Sequence, residues 1–197
     1  TTKPQLNDKD FHDLLTACSK GKLTKVKKLL KKKNANMNQV GGENEITALI
    51  AACGGGQVKV IKHLLKMKGI QVNQANKIGA TPLYVGCQIG RVAVVKVLLA
   101  RKEIKINQAN MNGATPLYTT CHEGHVDVMR LLLARKEIQI NQVTTKDGAT
   151  PLYVTCQNGH ANAVRLLLAR KDILVNQALK EGATPLYITC QHGHVDV

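Results

Sequence analysis

The string "GATPLY" begins at Gly79, Gly113, Gly148 and Gly182, so the chain repeats itself in steps of 34, 35 and 34 residues. No other feature constrains the fold as tightly. A unit of that length cannot bury an apolar face alone, and consecutive copies must stack to share one continuous core. A weaker copy, "ITALIAAC", places Thr47 another 34 residues upstream.

Within each copy the local signals agree on two helices. Thr81, Thr115, Thr150 and Thr184 each precede a Pro. The Thr oxygen suits an N-cap, and Pro suits the first helical position, where its missing N–H costs nothing. Nine residues beyond each Thr stands a Gly (Gly56, Gly90, Gly124, Gly159, Gly193), a helix stop that accepts positive φ. After it, "RVAVVKVLLA", "HVDVMRLLLA" and "HANAVRLLLA" carry apolar residues at helical spacing. The stretch "RKEIKINQANMNGA" (101–114) then mixes β-branched residues with Asn and Gly, which predicts an extended turn or hairpin reaching the next copy.

This pattern of Gly-x-Thr-Pro-Leu followed by Gly-His and a Val…Leu-Leu helix resembles the ankyrin repeat. The resemblance implies an all-α repeat solenoid of stacked helix-turn-helix units with protruding, β-hairpin-like loops, in a single domain over 1–197. Its expected divisions are an N-terminal capping repeat at 7–40, repeats at 41–75, 76–109, 110–143 and 144–178, and a truncated repeat at 179–197. Residues 11–40 keep the register through Cys18, Gly21, Leu29, Leu30 and Asn38 but lack Thr-Pro-Leu, as a cap does. "HGHVDV" stops part-way through an expected second helix and Thr1 is not Met, so the sequence reads as a fragment. Tyr84, Tyr118, Tyr153 and Tyr187 stand where the family has His, and "KEI" or "KDI" replaces the usual Gly-Ala.

Composition limits what the stack can do. Aromatic residues make up only 3% of the chain, so its core is aliphatic and built from small residues. The formal charge of +15 favours anionic partners, and it is uneven: residues 1–40 hold ten Lys against three Asp. No apolar run approaches the roughly 18 residues of a membrane span. Six cysteines in 197 residues are too sparse for a secreted disulfide scaffold, which places the chain in the cytoplasm, with the nucleus as second choice.

Cys18, Cys53, Cys87, Cys121, Cys156 and Cys190 each lie six residues after the repeat Thr position. One Cys per layer cannot converge on a zinc ion, and stacked helices roughly 8–10 Å apart hold them too far apart for disulfides. Packing as small hydrophobes is the simpler role. "CHEGH" (121–125) offers Cys, His and Glu together, yet on helices they diverge. No catalytic residue, metal or cofactor is expected. The four Tyr read as structural hydrogen-bonding groups rather than a base-stacking platform, and "KVKKLLKKK" (25–33) as the solvated face of a capping helix.

Function then falls to positions that vary between copies, because side chains required by the stack repeat. Loop tips supply Lys77, Ile78, Met111, Asn112, Thr145, Lys146, Lys180 and Glu181. The open end of the first helix supplies Gln88, Ile89, His122, Glu123, Gln157, Asn158, Gln191 and His192. In the family these positions are the usual contact residues. Arg101, Arg135 and Arg170 recur after the second helix, where a cation favours the helix dipole. The resemblance turns this Arg toward the concave side, where a row could equally read an acidic peptide. The expected function is a monomeric, non-enzymatic scaffold that binds an acidic or polar protein through its concave face and loop tips, with no small-molecule substrate. The alternatives are the targeting arm of a larger enzyme and, more weakly, a binder of anionic lipid or nucleic acid.

Overall fold

The computed structural model describes residues 4–32 and 35–197. Thr1 and the last lysine of the 25–33 run, Lys33, lie outside the described residues. Eleven helices appear among them: α1 (Asp8–Ser19), α2 (Leu23–Lys32), α3 (Ala48–Gly54), α4 (Val58–Leu65), α5 (Pro82–Gln88), α6 (Val92–Leu99), α7 (Pro116–His122), α8 (Val126–Leu133), α9 (Pro151–Gln157), α10 (Ala161–Leu168) and α11 (Pro185–Gln191). After His194 the Val197 N–H bonds the His194 C=O, the same bond that Ala163 makes to His160 at the start of α10.

The chain forms two compact units. One comprises the residues up to Gly86 together with Ala93–Lys105, and the other Cys87–Val92 with Ile106–Val197. In the first, α1 packs on α3 and on α2, and α2 meets α4. In the second, α9 lies between α7 and α11, and α8 packs beside α10.

Each short helix is set by its ends. The Thr115 hydroxyl accepts from the Tyr118 N–H at 3.0 Å, and Thr47, Thr81, Thr150 and Thr184 do the same in their copies. Seven-residue helices are too short to persist in water alone. Burial holds them: Leu49, Leu83, Leu117 and Leu152 on the first helices are at most 2% exposed, as are Ile61, Leu64, Leu98, Leu132 and Leu167 on the second.

The loops depart from a regular hairpin. The single β-bridge among the described residues joins Gly41 and Ile46. Elsewhere a backbone bond closes each tip (Asn76, Asn110, Thr144 and Leu179 N–H to Ala80, Ala114, Ala149 and Ala183 C=O), and in three of the four an Asn or Thr side chain reinforces it. Asn76 Oδ1 accepts from the Ile78 and Ala80 N–H groups, and Asn110 Oδ1 from those of Asn112 and Ala114. The side-chain oxygen adds to the backbone closure by accepting from N–H groups inside the tip. Where the period is 35, the added residue is absorbed at the tip: Thr144 and Asp147 replace the Asn, both accepting from Ala149 N–H. The Thr144 hydroxyl also donates to the Asp147 carboxylate and holds its pKa below the ordinary aspartate value.

Candidate functional site

Most repeated polar residues are spent on joining copies. Asn38, Asn73, Asn107 and Asn141 each bridge two backbone groups of the following copy. Asn107 Nδ2 donates to Glu137 C=O at 2.7 Å while its Oδ1 accepts from Gln139 N–H at 3.0 Å. Asn38, Asn73 and Asn141 repeat that geometry on residues 69 and 71, 103 and 105, and 172 and 174. Sequence reasoning noted only Asn38, as a register mark, because the partners of this ladder stand some thirty residues away.

The Gly-His pair has two jobs. His125, His160 and His194 donate from Nε2 to the carbonyls of Gln88, His122 and Gln157, each at 3.0 Å. Their rings lie flat against the preceding copy's glycine: an added Cβ would sit 2.7 Å from a ring atom at Gly90, 2.8 Å at Gly124 and 2.6 Å at Gly159. Those glycines also have φ near +70°. Histidine here is a tie to the layer below, oriented by a carbonyl.

The cysteines are interior. Cys18, Cys53, Cys87, Cys121 and Cys156 are buried, and Cys190, in the final copy, is exposed. Burial pushes the Cys18, Cys87 and Cys121 thiols up to about 12 and raises that of Cys156. A thiol so suppressed supplies no thiolate nucleophile at neutral pH. In the second unit the Cys87, Cys121 and Cys156 thiols hydrogen-bond Thr120, Thr155 and Thr189 of the next copy. Those hydroxyls in turn donate to the carbonyls of Pro116, Pro151 and Pro185, at 2.6, 2.6 and 2.8 Å. The "CHEGH" residues do diverge: His122 Nδ1 pairs with Glu123 at 2.9 Å at the surface, while Cys121 points inward. Among the described residues no three His, Cys, Asp or Glu side chains gather as a metal site.

Tyr84 and Tyr153 are buried, Tyr118 is half-buried and Tyr187 is exposed. Burial first, and then the Asp147 charge, raise the Tyr153 pKa above the ordinary tyrosine value.

The three arginines are engaged within the chain. Arg101, Arg135 and Arg170 pair with Glu103, Glu137 and Asp172 at 2.6, 3.0 and 2.9 Å across the KEI and KDI turns. Arg101 also donates to Leu65 C=O at 3.2 Å, and Arg170 to Leu133 C=O at 2.7 Å. The Arg101 and Arg170 guanidinium groups therefore cap the last turn of the previous copy's second helix, where exposed carbonyls attract cations. The pairing holds the Glu103 and Asp172 carboxyls below their ordinary values, and Glu137 is held down first by its own backbone N–H and then by Arg135.

The variable positions stand at the surface. Lys77, Ile78, Gln88, Ile89, Met111, Asn112, Thr145, Lys146, Lys180 and Glu181 are exposed, as are His122, Glu123 and Asn158, while Gln157 is half-buried. Several of these also serve their neighbours. Lys180 Nζ donates to the Thr145 and Lys146 carbonyls, Asn158 to that of His122, and the backbone N–H groups of Lys77, Thr145 and Lys180 to the preceding tips at Asn44, Asn112 and Asp147. Ile78 is 53% exposed, Ile89 41% and Met111 73%, so these three present apolar surface that the stack does not use.

One feature escaped sequence reasoning because it is made of missing side chains. In the first unit a groove of about 530 Å³ is lined on one wall by His12, Leu15, Thr16, Ser19 and Lys20 of α1 and the residue after it, and on the other by Ile46, Ile50, Ala51, Gly54 and Gly55, with Asn76 and Val85 at the end. The signal in the sequence was "CGGG" (53–56), which puts Gly at two of the variable positions.

No helix among the described residues is long and apolar enough to cross a membrane. Comparison with curated proteins returned no match. The family model for ankyrin repeats in three copies matches residues 14–110, 98–177 and 139–197. Domains of this kind are typically non-catalytic modules for binding proteins, and the repeated caps, ties and ladders described above are what such a stack requires. With matches running from residue 14 to the last residue, the chain belongs to the ankyrin repeat family.

Proposed function

We propose that this chain is a scaffold that binds a protein of acidic or polar surface through its loop tips and the open ends of its first helices. One observation carries the reading. Many residues that recur between copies are consumed by caps, ties and ladders, whereas most of those that differ stand exposed, and among them Ile78, Ile89 and Met111 leave apolar surface uncovered. Exposed apolar residues rimmed by polar ones suit a protein interface. The excess of Lys and Arg, 28 against 13 Asp and Glu, supports an acidic partner by steering and by repelling basic competitors.

Within this reading Arg101 and Arg170 act mainly as straps between copies, because each guanidinium already serves a carboxylate of its own turn and a carbonyl of the previous copy. Changing them would damage the stack as well as any interface. The informative variant is Ile78→Ser, Ile89→Ser and Met111→Ser together, compared with the parent in affinity capture from nuclease-treated extract at about 0.15 M salt. Circular dichroism verifies that both are folded. A discrete protein held by the parent and lost from the variant is the expected result. Equal retention by both would move the interface elsewhere. Retention that vanishes with nuclease and falls steeply with salt would mark nucleic acid as the partner instead.

A further inference from the structure

The groove in the first unit exists because one copy departs from its siblings. Counted from the repeat Thr, the fourth, eighth and ninth residues of the first helix are Tyr84, Gln88 and Ile89; Tyr118, His122 and Glu123; Tyr153, Gln157 and Asn158 in successive copies. In the copy headed by Thr47 they are Ile50, Gly54 and Gly55. Two side chains that elsewhere project from the end of the helix are absent.

The two glycines do different things. A Cβ on Gly55 would fall 2.1 Å from the Ser19 carbonyl oxygen, so Gly55 lets α3 approach the end of α1. Gly54 closes α3 and is not among the positive-φ glycines, so its backbone asks for no glycine. Its bare position leaves the groove open. The floor is aliphatic, formed by Leu15, Ile46, Ile50, Ala51 and Val85, and the only ionisable residues that line it are His12 and Lys20. A volume of about 530 Å³ lies within the range of about 300–1,000 Å³ usual for concave binding sites.

Resting on the scaffold function above, we infer that this groove is the anchor point of the interface. It takes a peptide segment of a partner protein that inserts an aliphatic or aromatic side chain between α1 and α3 and sets a carboxylate against Lys20. Apolar anchors in desolvated pockets dominate interface energetics, and a neighbouring charge pair fixes the register. The chain's charge agrees, since Lys and Arg number 28 against 13 Asp and Glu.

The test is a selection of short random peptides displayed against the whole chain, followed by affinities of the enriched peptides for four variants. Gly54→Gln and Ala51→Val install residues that sibling copies carry at those places and fill the groove. Lys20→Glu reverses its charge. Lys28→Glu, on α2, is the control. The expected peptides share a large apolar residue with Asp or Glu close by. Their affinity falls roughly tenfold or more with each of the first three variants and is unchanged with Lys28→Glu. Gly54→Gln should also melt no lower than the parent, because Gln is the better helix former, so its loss of binding is not a loss of fold. Peptides that bind Gly54→Gln and Ala51→Val as tightly as the parent, or that lack acidic residues and ignore Lys20→Glu, overturn the groove. If such peptides are lost from the Ile78, Ile89 and Met111 variant, the scaffold reading survives without it. A selection that enriches nothing overturns the groove as well, and the capture experiment then judges the scaffold reading by itself.

Discussion

Gly124 is held by two constraints at once. Its φ is +70°, a conformation that costs a residue with a Cβ about 1–2 kcal/mol, and the His160 ring occupies the space a Cβ would need. Gly124→Ala should therefore lower unfolding stability by at least that amount in urea titration. In a His160→Ala background the contact penalty disappears and the strain remains, so the two changes should not add. Full additivity would show that the ring and the glycine do not depend on each other. The sequence made the positive φ legible, since Gly recurs nine residues after every Thr. It did not reveal the ring, because the histidine that covers Gly124 belongs to the next copy. The same holds for Cys121, whose burial was expected from its register but whose Thr155 partner was not.

At the scale of the element, the helices are set locally and the loops are not. Thr caps and Pro at the first turn are read directly from "GATPLY", and all five caps are in place. The hairpin expected of each loop is reduced to a tip closed by one backbone bond, to which an Asn or Thr acceptor is added in the tips at 76–80, 110–114 and 144–149. What ties one loop to the next is the asparagine ladder. Asn107→Ala removes a donor and an acceptor together, and should cost about 1–3 kcal/mol. A lower urea midpoint at unchanged m would be the sign, and a midpoint within error of the parent would show that water replaces both bonds. Asn107→Asp keeps the acceptor for Gln139 N–H but sets a carboxylate against the Glu137 carbonyl, so it should recover little.

For the whole molecule, charge is the dominant property. Self-repulsion at +15 opposes compaction and is screened by salt, so stability should rise between low and moderate ionic strength. His63 is the local reporter. Burial first, and then Lys27, Lys66 and Lys31, lower its pKa below the ordinary 6.5. Salt screens the lysines and leaves the burial, so an NMR titration should show the His63 pKa moving up with salt while stopping short of the ordinary value. An unshifted pKa would mean that the lysine field is not felt there. The sign for stability follows: the unfolded chain takes up this proton more readily, so folding weakens as pH falls through 6.5. A second loss comes at lower pH, as Glu103, Glu137 and Asp172 protonate through their depressed values and give up their ion pairs with the arginines.

By itself the sequence determined the period, the helix pairs, their caps and stops, and the family, because all of these rest on residues close along the chain or on the recurrence of one pattern. It also marked which surface positions differ between copies. Only the tertiary structure decided what the repeated polar residues hold. Asn107 meets Glu137, His125 meets Gln88 and Arg170 meets Leu133 across a copy's length, and no local rule names such partners. It likewise decided that "CGGG" opens a groove and does not simply end a helix. A space is defined by the side chains around it, and here they come from α1, α3, Val85 of α5 and the loop residues Lys20, Ile46 and Asn76.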